Sequence, residues 1–556
     1  MSKTWYSSYP EGIPEDADVT AFSSLMEVFE NACTSYKNNP CFRNYGKTIS
    51  FQQLNDSSQR LAAYLQNQLQ MKKGDKIAIM IPNLLQNPVS IFGALRAGLT
   101  VVNINPLYTP VELKHQLSDS GATTIIILEN FAHTLQDVIN QTSIKHVITT
   151  RMGDMLSFPK SAIMNFVIKH VKKMVPPFQI SGSLNFNSCL SEGDPDKYVR
   201  PRLNQDDFAF LQYTGGTTGV AKGAILTHGN MVANVQQTCT WLEPLIKKGE
   251  EHIITALPLY HIFSLLANCL VIMKLGGLNH LITNPRDMKS FVKEIKNSKF
   301  TAITGVNTLF NGLLNTPGFS EVDFSRLKLA LGGGMAVQKS VAERWQKVTG
   351  HPLLEAYGLT ETSPAICINP MTLTAYNGKI GLPLPSTDVC IQDDDNQILP
   401  IGENGEICVK GPQVTQGYYR LPEETALIFD KDGWLHTGDI GFMDEQGYLQ
   451  IVDRKKDMVI VSGFNVYPNE IEQVIASHSD VLEVGVIGVA DEQCGEAVMA
   501  IIVCKNPQLS AEDIRLHCKA SLTRYKIPKR IEFVDEIPKT NVGKILRRGL
   551  RDMFPA

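Results

Sequence analysis

The sequence predicts an α/β protein in which a large N-terminal domain is followed by a small, mobile α+β C-terminal domain. Short apolar runs at 76–81, 123–128 and 145–149 alternate with helical stretches at 52–69 and 110–118. This alternation is typical of βα units whose parallel sheets are covered on both faces. We therefore expect two parallel-sheet subdomains in the N-terminal domain.

Length and composition agree with this class. The chain has 556 residues, which at about 150 residues per domain predicts three or four domain-sized units. With 43% hydrophobic and 19% charged residues, it differs from disordered, fibrous and coiled-coil proteins. Its net charge of −4 provides no general attraction to nucleic acid, so no nucleic-acid partner is expected.

Turn spacing and charge pattern predict a β-rich part and a separate C-terminal domain in the last third of the chain. From about 378 to 452, closely spaced Gly and Pro turns separate short strands, which predicts a small β-rich part. The charged run 453–457 follows, and after it helix and strand patterns alternate again. We place the N-terminal domain at 1–455, the C-terminal domain at 456–556 and a hinge near Lys456.

Cysteine spacing and apolar runs predict a reduced, cytoplasmic protein. The eleven cysteines include no CxxC pair and no metal-ligand spacing with histidine, which argues against a zinc site or a disulfide framework. The first residues have no apolar stretch of the signal-peptide type. The charge-free stretch 252–273 is interrupted by Pro258, His261 and Asn268, and is predicted to be a buried strand, loop and helix.

The most informative segment is the Gly- and Thr-rich loop between Leu211 and Ala224. Its glycines let consecutive backbone N–H groups face one anion, its threonine hydroxyls add donors, and Lys222 supplies a positive charge. This chemistry predicts phosphate binding. The loop is not a Walker A motif, because Ala221 precedes the lysine and Gly223 follows it.

The loop resembles the phosphate loop of the adenylate-forming superfamily, which includes acyl-CoA ligases, luciferases and peptide-synthetase adenylation domains. Four more segments match its signatures in the same order, namely EAYGLTE at 355–361, WLHTGD at 434–439, DRKKD at 453–457 and PKTNVGK at 538–544. The segment DGWLHTGDIGFMDEQGYLQIVDRKKD is similar to the signature of fatty acyl-CoA synthetases. Together with LPLYHIF and SGFNVYPNEIE, it resembles the bacterial long-chain fatty acid–CoA ligase family.

This resemblance implies an enzyme that acts in two steps. A fatty acid carboxylate attacks the α-phosphorus of MgATP to form acyl-AMP and pyrophosphate, and the thiol of coenzyme A then displaces AMP. Between the steps the C-terminal domain is expected to rotate about Lys456, which brings Gly463 to the path of coenzyme A. Ile460 stands where many relatives have a lysine, so no basic group from that position would assist thioester formation. The expected ligands are therefore a fatty acid, ATP, Mg²⁺ and coenzyme A, and a homodimer is left open.

The resemblance also assigns roles to individual residues. Lys544, Lys222 and His261 are the expected catalytic residues. Glu361 and Thr218 are the expected Mg²⁺ ligands, in keeping with the preference of that ion for oxygen. The residues expected to bind ATP or AMP are Tyr213, Thr214, Gly215, Gly216, Thr217, Thr218, Gly219, Lys222, Gly333, Gly334, Tyr357, Gly358, Thr360, Glu361, Asp439 and Arg454.

Some of these residues could have a purely structural role instead of a role in binding or catalysis. The resemblance makes Tyr357 the residue that stacks on adenine, Asp439 the acceptor of the ribose hydroxyl protons and Arg454 the contact to the ribose–phosphate edge. By its residue type alone, Asp439 could instead close an Asx turn, and Arg454 could form a surface ion pair. In the same way, His261 could be a buried histidine without a catalytic role.

Other functions share the core motifs. The alternatives are a medium-chain or aromatic acid–CoA ligase, a fatty acyl-AMP ligase and, in a different class, a non-enzymatic lipid-binding protein on a ligase fold. The compact segment between Glu361 and Thr437 argues against the acyl-AMP ligase, and the complete set of charged motif residues argues against the lipid-binding protein. The apolar residues that could line an acyl tunnel are Ile262, Phe263, Val306, Leu309 and Met335.

The segment 160–175 combines lysines with an apolar helical face. It contains four lysines, and no acidic residue occurs between Asp154 and Glu192. Lysines beside an apolar face suit an anionic lipid surface, which predicts peripheral contact with the inner face of the cytoplasmic membrane. A helix packed on the protein's own core is the alternative. The residues that fall close to one helical face are Ile163, Phe166, Val167, Val171 and Met174.

Overall fold

The computed structural model describes residues 3–214, 221–491, 493–540 and 543–554. The strands of these residues form four sheets, two of them large and mainly parallel. The β-rich part has an antiparallel sheet, and the C-terminal part has a mixed sheet. The predicted α/β class, with a large N-terminal domain and a smaller C-terminal domain, is confirmed.

The seven-stranded sheet contains the three apolar runs that the sequence predicts as strands. Lys76–Met80 and Thr124–Leu128 are buried along almost their whole length, because helices cover both faces of a parallel sheet. The two last strands form an antiparallel pair whose connection carries the phosphate-loop motif. In spatial order the strands are Leu184–Asn185, His146–Thr150, Thr124–Leu128, Lys76–Met80, Thr100–Asn103, Phe208–Thr214 and Lys222–Thr227.

The nine-stranded sheet forms the second half of the N-terminal domain. Its central strands are parallel, so their carboxyl ends lie together at one edge, where ligands bind in open α/β sheets. In spatial order the strands are Leu382–Pro383, Ala365–Ile368, Leu353–Gly358, Leu329–Gly333, Ala302–Gly305, His252–Thr255, Leu278–Leu281, Pro40–Asn44 and Lys47–Ser50.

Side-chain caps define where several helices begin. Ser50, Thr109 and Thr227 each accept a hydrogen bond from the backbone N–H three residues later, which satisfies a donor that the first helical turn leaves free. The main helices of the N-terminal domain are Leu25–Ser35, Phe51–Asn67, Gln86–Arg96, Pro110–Ser120, Lys160–Phe166, Phe186–Glu192, His228–Leu242, Met288–Ile295, Asn307–Leu314 and Lys339–Thr349.

The charge-free stretch 252–273 lies in the core. It begins with the buried strand His252–Thr255 and continues, after a loop, through the helical segments Ile262–Ser264, Leu265–Leu270 and Val271–Lys274. Among the residues that the structure describes, no helix combines the length and the apolar character needed to cross a bilayer.

The β-rich part and the C-terminal part complete the fold. The four-stranded sheet has the order Asp388–Gln392, Gly405–Lys410, Leu435–Met443 and Leu449–Arg454. The C-terminal sheet contains Val459–Val461, Phe464–Val466, Val481–Asp491, Gly495–Cys504 and Arg530–Phe533, with helices Pro468–Ala476, Ala511–Lys519 and Arg547–Met553.

A buried ionic network joins these two parts. The guanidinium of Arg547 lies 3.1 Å from Asp453 Oδ1, 3.2 Å from Asp457 Oδ2 and 3.0 Å from Glu472 Oε1, and it donates to Asn469 Oδ1 at 2.6 Å. Its side chain is only 13% exposed, so loss of this cation would leave Asp453 and Glu472 without a cationic partner in a poorly hydrated place, while Asp457 would keep its ion pair with Arg551. The network therefore holds the C-terminal helix that follows Lys544 against the end of the β-rich sheet.

Candidate active site

A cavity of about 1600 Å³ lies at the carboxyl edge of the nine-stranded sheet, between the N-terminal and C-terminal parts. Residues from the sheet, the β-rich part and the C-terminal part line it, so most motifs that are far apart in sequence meet there. The predicted residues on its wall are Tyr213, Thr214, Lys222, His261, Gly333, Gly334, Tyr357, Gly358, Thr360, Glu361, Asp439, Arg454, Lys456 and Lys544.

Lys544 reaches into this cavity from the C-terminal part. Gly543 accepts a hydrogen bond from Thr308 Oγ1 at 2.8 Å, which fixes the segment against helix Asn307–Leu314. A Cβ atom on Gly334 would lie 3.0 Å from Lys544 Cε, so the glycine leaves room for the lysine stem. Burial, with a smaller effect of the Arg454 charge, lowers the pKa of the Lys544 ammonium to about 8.

Asp439 lies beside Lys544 and has two partners. Tyr357 Oη donates to Asp439 Oδ2 at 2.6 Å, and Arg454 Nε lies 3.4 Å from Asp439 Oδ1. Asp439 and Arg454 face each other across paired antiparallel strands, which explains the second contact. Burial raises the pKa of the Asp439 carboxyl, while the Arg454 charge and the Tyr357 hydrogen bond oppose that shift. Asp439 is thus not the surface Asx turn that its residue type alone allowed.

Glu361 and Lys222 both contact Tyr418, and Lys222 also contacts Glu424. Neither Tyr418 nor Glu424 was predicted from the sequence. Tyr418 Oη donates to Glu361 Oε1 at 2.6 Å, and Lys222 Nζ forms an ion pair with Glu424 and lies 5.2 Å from the centre of the Tyr418 ring. Tyr418 and Glu424 lie in GYYRLPEET, a turn-rich segment whose proline and adjacent glutamates were the available signal.

The phosphate loop is only partly described. Gly215, Gly216, Thr217, Thr218 and Gly219, including the predicted Mg²⁺ ligand Thr218, lie outside the described residues.

The two residues before that gap lie on strand Phe208–Thr214. The Tyr213 hydroxyl donates to Asp119 Oδ2 at 2.5 Å, and Tyr213 lies on the cavity wall. Thr214 pairs with Lys222 across the antiparallel strands and lies on the cavity wall, at the start of the loop.

His261 lies on the cavity wall, close enough to Lys544 for the two side chains to interact electrostatically. Its Nδ1 accepts a hydrogen bond from the backbone N–H of Phe263 at 3.3 Å, which caps the following helix. Burial, assisted by the Lys544 charge, lowers the pKa of the His261 imidazole to about 3. The imidazole is therefore neutral near pH 7, and since Nδ1 accepts, its proton is on Nε2.

The structure separates Gly463 from this site. Gly463 lies in the turn between strands Val459–Val461 and Phe464–Val466, with φ of +84° and no atom within 4 Å of a Cβ built on it. It is not on the cavity wall, and neither is Ile460, which is 49% exposed. Lys456, by contrast, lies on the wall, where burial lowers the pKa of its ammonium.

An apolar arm of the cavity extends under the nine-stranded sheet. Ile262, Phe263 and Met335 line the cavity, as expected of acyl-tunnel residues. Val306 and Leu309 are not among the wall residues and belong to the adjoining core, where Val306 lies 3.9 Å from a Cβ atom built on Gly334. Residues that line the arm are Thr238, Leu242, Ile246, Glu251, Ile253, Leu266, Ala267, Ile272, Ala302, Thr304, Leu329 and Leu331.

Family models identify the class of protein to which this site belongs. A model described as AMP-binding enzyme matches residues 29–419, and a model described as AMP-binding enzyme C-terminal domain matches residues 470–544. The chain belongs to the AMP-binding enzyme family.

Individual relatives agree with this assignment over almost the full length. The chain is 55% identical over 553 residues to a long-chain-fatty-acid–CoA ligase of Salmonella typhimurium, covering 99% of this chain and 98% of that protein. It is 37% identical over 554 residues to the protein of the same name in Bacillus subtilis, covering 99% and 97%.

Solved structures have the same fold. ATP-bound MatB from Rhodopseudomonas palustris superposes with a TM-score of 0.83 at 27% identity, covering 95% of this chain and 99% of that chain. The anthranilate CoA ligase AuaEII in complex with anthranoyl-AMP superposes with a TM-score of 0.84 at 23% identity, covering 96% and 97%.

Proposed function

We propose that this protein is a long-chain fatty acid–CoA ligase, which converts a fatty acid, ATP and coenzyme A into acyl-CoA, AMP and pyrophosphate. The observation that carries the proposal is the position of the Lys544 ammonium, which is buried where the polar part of the cavity meets its apolar arm. A carboxylate with its hydrocarbon chain in the arm would be held next to a positive charge. The relatives named long-chain-fatty-acid–CoA ligase support the same activity.

In the first step a carboxylate oxygen forms a bond to the α-phosphorus of ATP, and the bond to the β-phosphate oxygen breaks. Negative charge develops on the phosphate oxygens, and a positioned donor at such a place is worth roughly 10²–10³-fold in rate. Lys544 supplies this charge at the α-phosphate, and Lys222 leaves Glu424 to contact the departing pyrophosphate. His261 donates its Nε2 proton in a hydrogen bond to the carboxylate.

The nucleotide is held by the residues around Asp439. Its carboxylate accepts the ribose hydroxyl protons, since it has acceptor sites beyond those used by Tyr357 and Arg454. The Tyr357 ring stacks on adenine, and the backbone of Gly333 and Gly334 lies against the base and the acyl group. Thr360 and the phosphate loop contact the phosphates.

Mg²⁺ accompanies ATP in this proposal. Glu361 fits the ion, because its carboxylate lies on the cavity wall and Tyr418 occupies only one of its oxygens. One or two protein oxygens with substrate phosphates and water are the usual surroundings of Mg²⁺. When bound, the ion neutralises phosphate charge, and Thr218 is the second proposed ligand.

The second step requires a different arrangement of the C-terminal domain. We place the boundary at residues 455 and 456, so that rotation about Lys456 withdraws Lys544 and brings the turn at Gly463 to the cavity. Ile460 and Phe464, which flank this turn, are 49% and 55% exposed, and rotation would cover this apolar surface. The thiol of coenzyme A then attacks the acyl carbonyl carbon and AMP leaves.

Pyrophosphate release, measured across acids of increasing length with and without coenzyme A, tests the activity. We expect faster release with acids of twelve or more carbons than with benzoate, and a thioester only when coenzyme A is present. Faster turnover of benzoate would favour an aromatic acid ligase, and acyl-AMP without thioester would favour an acyl-AMP ligase. If no acid causes release of pyrophosphate, the result would favour a non-enzymatic lipid-binding protein.

We also propose that the predicted segment 160–175 contacts an anionic membrane surface, and we define this contact as residues 158–174, because its exposed apolar side chains begin at Phe158 and end at Met174. Its apolar patch consists of Phe158, Ile163, Phe166, Val171 and Met174, which are between 49% and 85% exposed. An apolar patch of this kind on a protein surface usually marks an interaction site.

The attachment of the segment explains why these side chains face outward. Ile168 is its buried residue, Asn165 bonds to Gly153 N and Asp154 Oδ1, and Asn130 Nδ2 donates to Met174 O at 2.8 Å. Val167, which was expected on the apolar face, is half-buried. The helix therefore packs on the protein's own core through one side only, and this supports a role in binding for the exposed opposite side.

Lysines next to the patch favour an anionic lipid as its partner. Lys169, Lys172 and Lys173 are exposed, and each lysine near such a surface contributes about 1 kcal/mol. We expect the variant Lys169→Glu/Lys172→Glu/Lys173→Glu to bind phosphatidylglycerol vesicles at least roughly 100-fold more weakly at low salt.

Sedimentation with vesicles measures this effect, and phosphatidylcholine vesicles give the uncharged reference. The matched control Lys37→Glu/Lys339→Glu/Lys431→Glu changes the net charge equally at exposed positions outside the segment. An unaltered bound fraction for the first variant, or an equal loss in the control, would exclude the segment as the membrane contact.

A further inference from the structure

The apolar arm of the cavity has a definite direction. Strand pairing places Ile253 beside Ala302 and Ala302 beside Leu329, and it places Thr304 beside Leu331 nearer the site. In a parallel sheet paired residues share a face, so the arm follows this face from Gly333 toward the amino ends of the strands. The neighbouring residues Ile303 and Ala330 pack in the core on the opposite face.

The arm has a length that can be compared with a hydrocarbon chain. Leu329 precedes Gly333 by four residues, which is about 13 Å at roughly 3.3 Å per residue. Glu251 precedes Ile253 by two residues and adds about 7 Å. Since an extended chain advances about 1.25 Å per carbon–carbon bond, roughly 20 Å accommodates about sixteen carbons.

A charged pair stands at the far end of this path. The Glu251 side chain is 1% exposed, lies on the cavity wall, and pairs with Lys328 Nζ at 2.6 Å. It also accepts a hydrogen bond from the backbone N–H of Lys247 at 2.8 Å. Lys328 is 26% exposed, so the pair separates the end of the arm from solvent.

We propose that the Glu251–Lys328 ion pair is the end wall of the acyl site and sets the upper limit of acyl chain length. A methyl end that reached the pair would have to displace Glu251 from Lys328, and separating a buried pair is strongly unfavourable. This inference rests on the proposed function, and it defines the preferred substrates as fatty acids of up to about sixteen carbons. Residues at the level of Ala302 determine how much of that length is available.

A substitution that fills the arm gives the first test. Ala302→Phe would place a ring about 13 Å from Gly333, which leaves room for octanoate and blocks palmitate. We expect the ratio of kcat/KM for palmitate to that for octanoate to fall about 100-fold or more, since about six methylenes lose their burial.

A substitution that removes the end wall gives the second test. Glu251→Ala/Lys328→Ala deletes both charges, so no unpaired ion is left behind. We expect kcat/KM for a twenty-carbon acid to rise about tenfold relative to that for dodecanoate, since removing the wall admits one or two more methylenes. The control Lys296→Ala/Glu321→Ala removes an exposed ion pair outside the cavity wall and should leave both ratios unchanged.

The outcomes separate this inference from the proposed function. If the wild-type protein activates no fatty acid, the proposed function fails. If the wild-type protein is active and Glu251→Ala/Lys328→Ala leaves the ratio of kcat/KM for the two acids unchanged, the end wall is wrong, whatever the effect of Ala302→Phe. An equal decrease of kcat/KM for octanoate and for palmitate in Ala302→Phe would show that the acyl chain does not lie in this arm. That result also overturns the inference.

Discussion

Replacing Lys544 by alanine is expected to reduce formation of acyl-AMP by roughly 10²–10³-fold, the usual effect of removing one positioned donor at a developing negative charge. Its ammonium is buried beside Gly334 and Asp439, so no solvent cation takes its place. Thioester formation from supplied acyl-AMP should change less than about twofold, because the proposed rotation withdraws this lysine before the second step. Pyrophosphate release and thioester formation are measured separately.

A second lysine of the same domain provides the control. Lys519→Ala removes an equal charge at an exposed position of helix Ala511–Lys519 and should leave both half-reactions unchanged. Equal losses in both half-reactions of Lys544→Ala would contradict a lysine that acts in one domain arrangement only.

The pH dependence of the wild-type protein tests the same group. Burial lowers the pKa of Lys544 to about 8, and only the protonated amine can stabilise phosphate charge. We expect kcat/KM for ATP to fall as the pH rises above 8, by up to tenfold per pH unit. In Lys544→Arg the decrease should move to higher pH, because a guanidinium stays protonated there.

Replacing Asp439 by asparagine is expected to raise the KM for ATP by roughly 10–100-fold, which corresponds to the loss of a hydrogen bond to a charged group. An amide has one acceptor oxygen, which Tyr357 already needs, and its NH₂ group would face either the ribose or Arg454. The fold should be preserved because the side-chain volume hardly changes. Pyrophosphate exchange at varied ATP concentration measures the effect.

The control for this variant is Asp395→Asn, an exposed carboxylate of the same β-rich part that is not on the cavity wall. It should leave the KM for ATP unchanged. If the KM of Asp439→Asn also equals that of the wild-type protein, Asp439 does not contact the nucleotide.

The local pattern of the sequence was sufficient for the fold class and for most of the residues that the structure brings together on the cavity wall. Strands such as Thr124–Leu128 are buried on both faces, so an apolar run identifies them without knowledge of their neighbours. The helix after the phosphate loop lies at His228–Leu242 and begins where Thr227, a residue type that favours this position, caps it. Asp439 and Lys544 were predicted because short segments around them resemble signature segments of the family, and such segments are also local information.

Contacts between distant segments needed the tertiary structure. Val306 and Leu309 are apolar and follow a strand that lines the cavity, but contacts with remote segments decide that they pack in the adjoining core and not on the cavity wall. Glu251 and Lys328 are 77 residues apart and meet because their strands enter the same sheet. The pattern of charges gave no signal that these two residues would end an apolar arm.

The segment 158–174 illustrates the same division. Helical periodicity identified an apolar face, because residues three or four apart share a side of a helix. Periodicity is identical for a face that packs on the core and a face that meets solvent, so it could not separate the two. The structure separated them through Ile168, which is buried, and Phe166, which is 60% exposed. A sequence therefore determines which residues can associate, and only the packed chain decides which of them do, because burial depends on partners that are remote along the chain.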